Sequence, residues 1–290
     1  MIAPANLAAE PLAALAPELL ERERALREWL AAQGSALLGF SGGVDSAYLA
    51  CLGVETLGPQ RFLAVIGISA SYPAEQWEIA RSVAALFDIP VREIATDELS
   101  DPSYAANPVN RCYFCKSELW SRLAPIAAAE GLAVVIDGTN ADDLGDHRPG
   151  ARAAAEIGVR SPLAELGFTK DEVRKLSRAR GLSTWRQPSS PCLSSRIPYG
   201  TAVTPERLAQ IERAERALRA LGIEGDLRVR HHGELARVEL APELVDSWLE
   251  PSSGARLRDA VAAAGFARVA LDLRGFRSGS LNVLDGVVAE

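Results

Sequence analysis

The segment Ser41-Gly42-Gly43-Val44-Asp45-Ser46 constrains this chain more than any other. It lies between an apolar run at 36–40 (ALLGF) and a stretch of helical periodicity from Val44 to Leu57. A strand that turns through two glycines into a helix gathers main-chain N–H groups and the positive end of the helix dipole at one point. Such a point suits phosphate. Ser41 and Ser46 add hydroxyl donors, and Asp45 offers a carboxylate for Mg²⁺ on the phosphates. A Walker A loop would end in Gly-Lys-Ser/Thr, and a dinucleotide fingerprint needs a third glycine at other spacing. Neither fits.

The same alternation continues downstream. Strand-like runs at 62–68 (FLAVIGI), 91–94 and 134–136 alternate with helical patterns such as 72–87. That order predicts an α/β fold with a Rossmann-like parallel sheet covered on both faces. Thr169-Lys170-Asp171-Glu172 reads as a capping box that opens a helix toward Arg180. The style changes near Pro198-Tyr199-Gly200, after which Thr204-Pro205 starts a helix over 206–221. Runs at 227–231 and 235–240 form an expected hairpin with Gly233 in its turn, followed by helical stretches at 243–249 and 255–264 and a strand at 268–273. The expected domains are an N-terminal helix over 1–35, a phosphate-loop domain over 36–198, and a smaller α+β C-terminal domain over 199–290. The last is assigned to substrate binding and oligomerisation.

Charge and cysteine usage narrow the partners. The 290 residues carry a net charge of −7 and a pI near 5.2, which disfavours a nucleic-acid partner. No run of eighteen apolar residues occurs, so no membrane span is expected. The N-terminus lacks a basic segment followed by an apolar run, and four cysteines without such a leader point to a reducing cytoplasm. Only Lys116, Lys170 and Lys175 are lysines, so arginine supplies nearly all the positive charge.

Three further groups carry candidate chemistry. The stretch Asp137-Gly138-Thr139-Asn140-Ala141-Asp142-Asp143 follows a strand, the position of a ligand-facing loop in an open α/β sheet. Asp142 and Asp143 are candidates for the magnesium or the adenosine side, and Arg148 for an anion. Cys112 and Cys115 form a C-x-x-C pair, Cys192 stands alone, and Cys51 falls among apolar helix positions as a core residue. The first three could hold a [4Fe–4S] cluster, or zinc with His147, His231 or His232, or the pair could form a redox disulfide. Arg196 lies near Cys192, and Arg228 and Arg230 share one face of a strand by their two-residue spacing. Paired guanidiniums clamp a phosphate monoester; the competing reading is a solvated face balanced by Glu239 or Glu234.

Together these motifs resemble the LarE-type ATP-dependent sulfur transferases, a branch of the PP-loop ATP pyrophosphatases. SGGVDS at 41–46 is common to that superfamily, and DGTNADDLGDHRPG at 137–150 supports it. PCLSSRIPYG at 191–200 and LRVRHHGELARVEL at 227–240 resemble this branch in particular. The resemblance implies an enzyme that adenylates a carboxylate of pyridinium-3,5-biscarboxylic acid mononucleotide and converts it to a thiocarboxylate for a nickel-pincer cofactor. It implies ATP held by Ser41, Gly42, Gly43, Asp45, Ser46 and Asp142, with Mg²⁺ on Asp45. The substrate phosphate is expected on Arg196, Arg228 and Arg230, with Glu239 nearby and Cys192 as the sulfur-handling residue. The Cys112/Cys115 pair places the sequence with members that use a [4Fe–4S] cluster on three cysteines, fed by an outside sulfide source. The expected partner is thus a small-molecule nucleotide, and the expected assembly a homo-oligomer. Rival readings are a tRNA 2-thiolation enzyme, an ammonia-using AMP-forming synthetase, and a non-enzymatic cluster or zinc scaffold that senses nucleotide.

Overall fold

A computed structural model describes residues 15–145, 149–188 and 190–277. His147 and Arg148 lie outside these. The chain divides into two compact units, Met1–Glu98 with Cys112–Ser190, and Leu99–Arg111 with Pro191–Glu290.

The first unit is built on four parallel strands in the order β3-β2-β1-β4, namely Ala36–Gly39 (β1), Phe62–Ile68 (β2), Val91–Ala95 (β3) and Val134–Ile136 (β4). The central strands are nearly continuous apolar runs because both faces are covered. Alternate residues divide between two cores. Ala36, Leu38, Ala64 and Ile66 face helices Pro17–Gln33 (α1), Val44–Leu57 (α2), Ala74–Leu86 (α3) and Lys170–Ala179 (α8). Leu37 and Val65 face Trp120 and Leu123 of Arg111–Ala129 (α5) and Ala153 of Pro149–Ile157 (α6). A short helix, Pro162–Glu165 (α7), precedes α8. Cys51 is buried in α2 as the sequence suggests, and burial with Glu55 alongside pushes its thiol up to about 12. This is the α/β fold the alternation of strands and helices predicts.

In the second unit, Leu227–His232 (β5), Leu235–Leu240 (β6) and Arg268–Leu271 (β7) form a sheet in that order, the first pair antiparallel and the second parallel. Helices Pro205–Ala220 (α9), with Thr204 as its N-cap, and Pro251–Ala263 (α11) close its core around Leu218, Val229, Val238 and Val261. A short helix, Val245–Leu249 (α10), joins the strands to α11. The excursion at 99–111, with helix Pro102–Ala105 (α4), is bound into this unit. The Tyr104 hydroxyl meets Ser194 Oγ at 2.7 Å, and the fully buried Asn107 amide donates to the carbonyls of Pro198 and Thr201. Among the described residues no helix is long and apolar enough to cross a membrane.

Candidate active site

The phosphate loop leaves the carboxyl end of β1. The chain builds β2 and β3 to one side of β1 and then crosses to β4 on the other, so loops from β1 and β4 diverge at a switch point. Gly43 is the N-cap of α2 and no side chain among the described residues caps this helix, which leaves its first-turn N–H groups to an anion. Gly42 has φ of 70°, and a Cβ there would lie 2.6 Å from Ala80 Cβ. Only glycine gives both that conformation and that closeness to α3. Ser41 Oγ and Ser46 Oγ are 3.1 Å apart, and Ser46 Oγ also donates to the Gly43 carbonyl. Behind the loop, Tyr72 Oη and Gln76 Nε2 both donate to the Ser41 carbonyl, at 2.9 and 3.0 Å. Gln187 Nε2 in turn donates to Gln76 Oε1 at 2.6 Å.

The β4 loop meets the phosphate loop at Asp45. Asn140, fully buried, donates from Nδ2 to Asp45 Oδ1 at 3.2 Å, and its Oδ1 accepts the main-chain N–H groups of Asp142 and Asp143. Lys170 Nζ pairs with the other Asp45 oxygen. The exposed Asp142 accepts the Lys170 main-chain N–H at 2.8 Å, and so ties the start of α8 to this loop. Thr169 and Glu172 complete the expected capping box. Asp45 supplies hard carboxylate oxygens of the kind a Mg²⁺ takes, whereas Asn140 turns its NH₂ toward Asp45 and spends its own oxygen on the loop, so the donor that fits that ion here is Asp45. Lys170, Tyr72 and Gln76 are given no site role by the sequence, because those roles depend on contacts far along the chain; Asn140 lies in the loop the sequence marks as ligand-facing, but with no role of its own. The one available signal is the scarcity of lysine.

In the second unit the arginines are buried, so the strand face that carries them is not solvated, although Arg230 does pair with Glu239 as the competing reading expects. Arg196, Arg228 and Arg230 are 2%, 4% and 5% exposed, and Glu239 is fully buried. Arg196 makes a two-toothed contact with Glu215, through Nε at 2.9 Å and Nη2 at 3.0 Å. Arg230 Nε donates to Glu239 at 2.9 Å and its Nη1 to the Ser195 carbonyl. Arg237 takes the other Glu239 oxygen at 2.9 Å. Arg228 donates to the Leu227 carbonyl and lies 4.9 Å from the Phe276 ring centre. Burial, then the neighbouring Arg196 charge, lowers the Arg228 guanidinium to about 10, so it stays charged at neutral pH. Burial works to raise the Glu215 carboxyl, but Arg196, the Val229 N–H and Arg228 together hold it below the usual range. Glu215, on α9, is the member of this cluster that sequence reading does not pick out.

Cys112 and Cys115 sit in the first turns of α5, one exposed and one half-buried, where a three-residue spacing puts both on one helix face. Cys192, also half-buried, belongs to the other unit and precedes the 3-10 turn Leu193–Arg196. No disulfide forms among the described residues, and these residues gather no group of three or more His, Cys, Asp and Glu for a metal. Neighbouring, accessible thiols on one helix are donors an iron–sulfur cluster accepts, so the C-x-x-C pair fits that group. His231, one candidate fourth zinc ligand, is buried against Phe266 with its Nε2 on Gln210.

Comparison with known proteins agrees with this geometry. The family described as NAD synthase matches residues 19–120, which include the phosphate loop and the first three strands. The pyridinium-3,5-bisthiocarboxylic acid mononucleotide synthase of Lactiplantibacillus plantarum is 38% identical over 245 residues, covering 84% of this chain and 88% of its own length. An uncharacterized protein of Synechocystis sp. is 46% identical over 257 residues, 89% of this chain and 95% of its own. One from Methanocaldococcus jannaschii is 30% identical over 213 residues, with 72% and 78% coverage. The phosphate loop and these matches make the chain an ATP-utilising PP-loop enzyme. With 38% identity over 84% of its length to the Lactiplantibacillus synthase, it belongs to the LarE-type family of the PP-loop superfamily.

Proposed function

We propose that this enzyme is an AMP- and pyrophosphate-forming sulfurtransferase acting on pyridinium-3,5-biscarboxylic acid mononucleotide in nickel-pincer cofactor synthesis. The observation that carries the reading is the buried arginine cluster. Arg196, Arg228 and Arg230 bring three positive charges to one place, where Glu215 is taken by Arg196 and Glu239 is shared between Arg230 and Arg237. Like charges so close disfavour one another, and a phosphate monoester relieves them while matching the planar guanidinium fork. The name of the Lactiplantibacillus relative supports the pyridinium mononucleotide as the molecule bearing that phosphate.

The chemistry follows from the two sites. A carboxylate resists nucleophiles because oxide is a poor leaving group, so it must first be activated. Ser41, Gly42, Gly43 and Ser46 hold the phosphates of ATP, and Asp45 would hold Mg²⁺ on them, with Asp142 in the supporting loop. A carboxylate oxygen of the substrate bonds to the α-phosphorus, and the bond to the β-phosphate oxygen breaks. Pyrophosphate leaves with the electron pair, its charge met by the N–H groups of the loop. Sulfur then adds to the acyl carbon, AMP departs with its oxygen, and a thiocarboxylate remains. Cys112, Cys115 and Cys192 would hold the [4Fe–4S] cluster, which when bound presents sulfide from an outside source as the nucleophile. Cytoplasmic conditions keep these thiols reduced, and a homo-oligomer is the expected assembly.

The test is pyrophosphate release from ATP by anaerobically purified enzyme, with the thiocarboxylate followed by mass spectrometry. Release that requires the pyridinium dicarboxylate nucleotide and yields thiocarboxylate with sulfide supports the reading. Release that requires ammonia and yields an amide would replace it with an amidating synthetase. Release that requires tRNA would replace it with a thiolation enzyme.

A further inference from the structure

The carboxylate of Asp45 is already neutralised: Lys170 Nζ takes one oxygen and Asn140 Nδ2 the other. Of the three lysines, Lys116 lies 4.9 Å from the Trp120 ring centre and Lys175 pairs with Asp171 on the exposed side of α8. Lys170 alone reaches the phosphate loop among the described residues. Its base is fixed, because it is the first residue of a capped helix and its N–H is held by Asp142. Its head is held only by Asp45, on a four-carbon stem that is 34% exposed and can turn to another anion. The phosphate loop contains no lysine, although a departing pyrophosphate gains from a fixed cation beside it.

We propose that Lys170 is a counter-ion that changes partner. It holds Asp45 while the nucleotide site is empty, and pairs with the phosphate oxygens of ATP, then of the leaving pyrophosphate, once nucleotide and metal load. It therefore keeps a divalent cation from settling on Asp45 ahead of ATP. It also supplies, from the start of α8, the positive charge that a Walker-type loop carries within its own sequence. The proposal rests on the phosphate-loop reading of Asp45 and on nothing assumed about the sulfur acceptor.

Two binding measurements without turnover test it. In the first, Mn²⁺ binding to nucleotide-free protein is followed by electron paramagnetic resonance. Lys170→Gln should bind Mn²⁺ about tenfold or more tightly than wild type, while Lys170→Arg, which keeps the charge, should stay as weak as wild type. In the second, ATP binding is measured calorimetrically in the presence of a chelator. Asp45→Asn releases the lysine and should bind metal-free ATP about tenfold more tightly than wild type. The Asp45→Asn, Lys170→Gln double variant should lose that gain. Equal Mn²⁺ affinity in wild type and Lys170→Gln, or a gain that survives in the double variant, would overturn the proposal. If pyrophosphate release never responds to a pyridinium carboxylate while both binding differences hold, the functional reading fails and this one stands.

Discussion

Arg230 pairs diagonally with Glu239 across the β5–β6 hairpin; its direct partner in the register is Arg237, and Glu239 lies directly opposite Arg228. One buried carboxylate thus sits between two arginines that both reach it, with a third arginine across from it. Changing either Arg228 or Arg230 to Ala should weaken binding of the substrate nucleotide by roughly ten- to a hundredfold, the cost of one charge-assisted contact. ATP affinity should hold, because the phosphate loop belongs to the other unit. Calorimetric titration of each ligand separates the two effects, and unchanged nucleotide affinity in both variants would remove the cluster from substrate binding.

Glu215 should make part of the stability depend on pH. Its carboxyl is held below the ordinary range, so its contribution is full above the unfolded value of about 4.3 and is lost as pH falls through the lower folded value. Glu215→Gln keeps the shape and loses the charge. The variant should be less stable at pH 7 by roughly 1.5–3 kcal/mol. Urea unfolding should show that gap narrowing in acid; a gap that stays constant down to pH 3 would assign it to packing.

Asp45→Asn should abolish pyrophosphate release while leaving the fold intact, because the amide keeps the contact with Asn140 but gives up the charge a metal needs. Undiminished release from a folded variant would remove Asp45 from the reaction.

Gly42→Ala should damage the loop in two ways. The left-handed backbone disfavours a side chain, and the added carbon meets Ala80 of α3 at 2.6 Å. We expect a loss of about 1–3 kcal/mol in stability and a raised KM for ATP. A melting curve and a KM like those of wild type would show that the loop can shift away from α3 without cost.

The cysteines should separate activation from sulfur delivery. Cys112→Ser, Cys115→Ser and Cys192→Ser should each lower iron and sulfide content after anaerobic purification, while ATP-dependent adenylation persists. If Cys192 instead gives up its own sulfur, the protein would turn over once and lose the mass of H₂S. That mass loss in cluster-loaded enzyme supplied with sulfide would defeat the cluster reading.

The elements that local pattern controls are those the sequence expresses well. β2 spans FLAVIGI because both faces are covered, and α2 starts where the two glycines end. Thr169 and Glu172 form their capping box within four residues of one another. Contacts between distant segments are not written locally. Lys170 meets Asp45 across 125 positions, and Gln187 meets Gln76 across 111. The arginines of β5 alternate as a wet strand face would, and only the packing of α9 and its Glu215 reveals that they are buried. The α/β class and the phosphate loop were therefore readable, whereas the groups that surround and tune the loop were not.

The passage of residues 99–111 through the second unit means that neither unit is a single stretch of chain. A fragment beginning at Pro191 would lack Tyr104 and Asn107, and the carbonyls of Pro198 and Thr201 would lose the amide that now satisfies them. A fragment ending at Ser190 would instead carry the orphaned insert. The gene for such a protein does not shuffle as two cassettes: recombination or truncation at the apparent boundary severs one unit from its own missing piece.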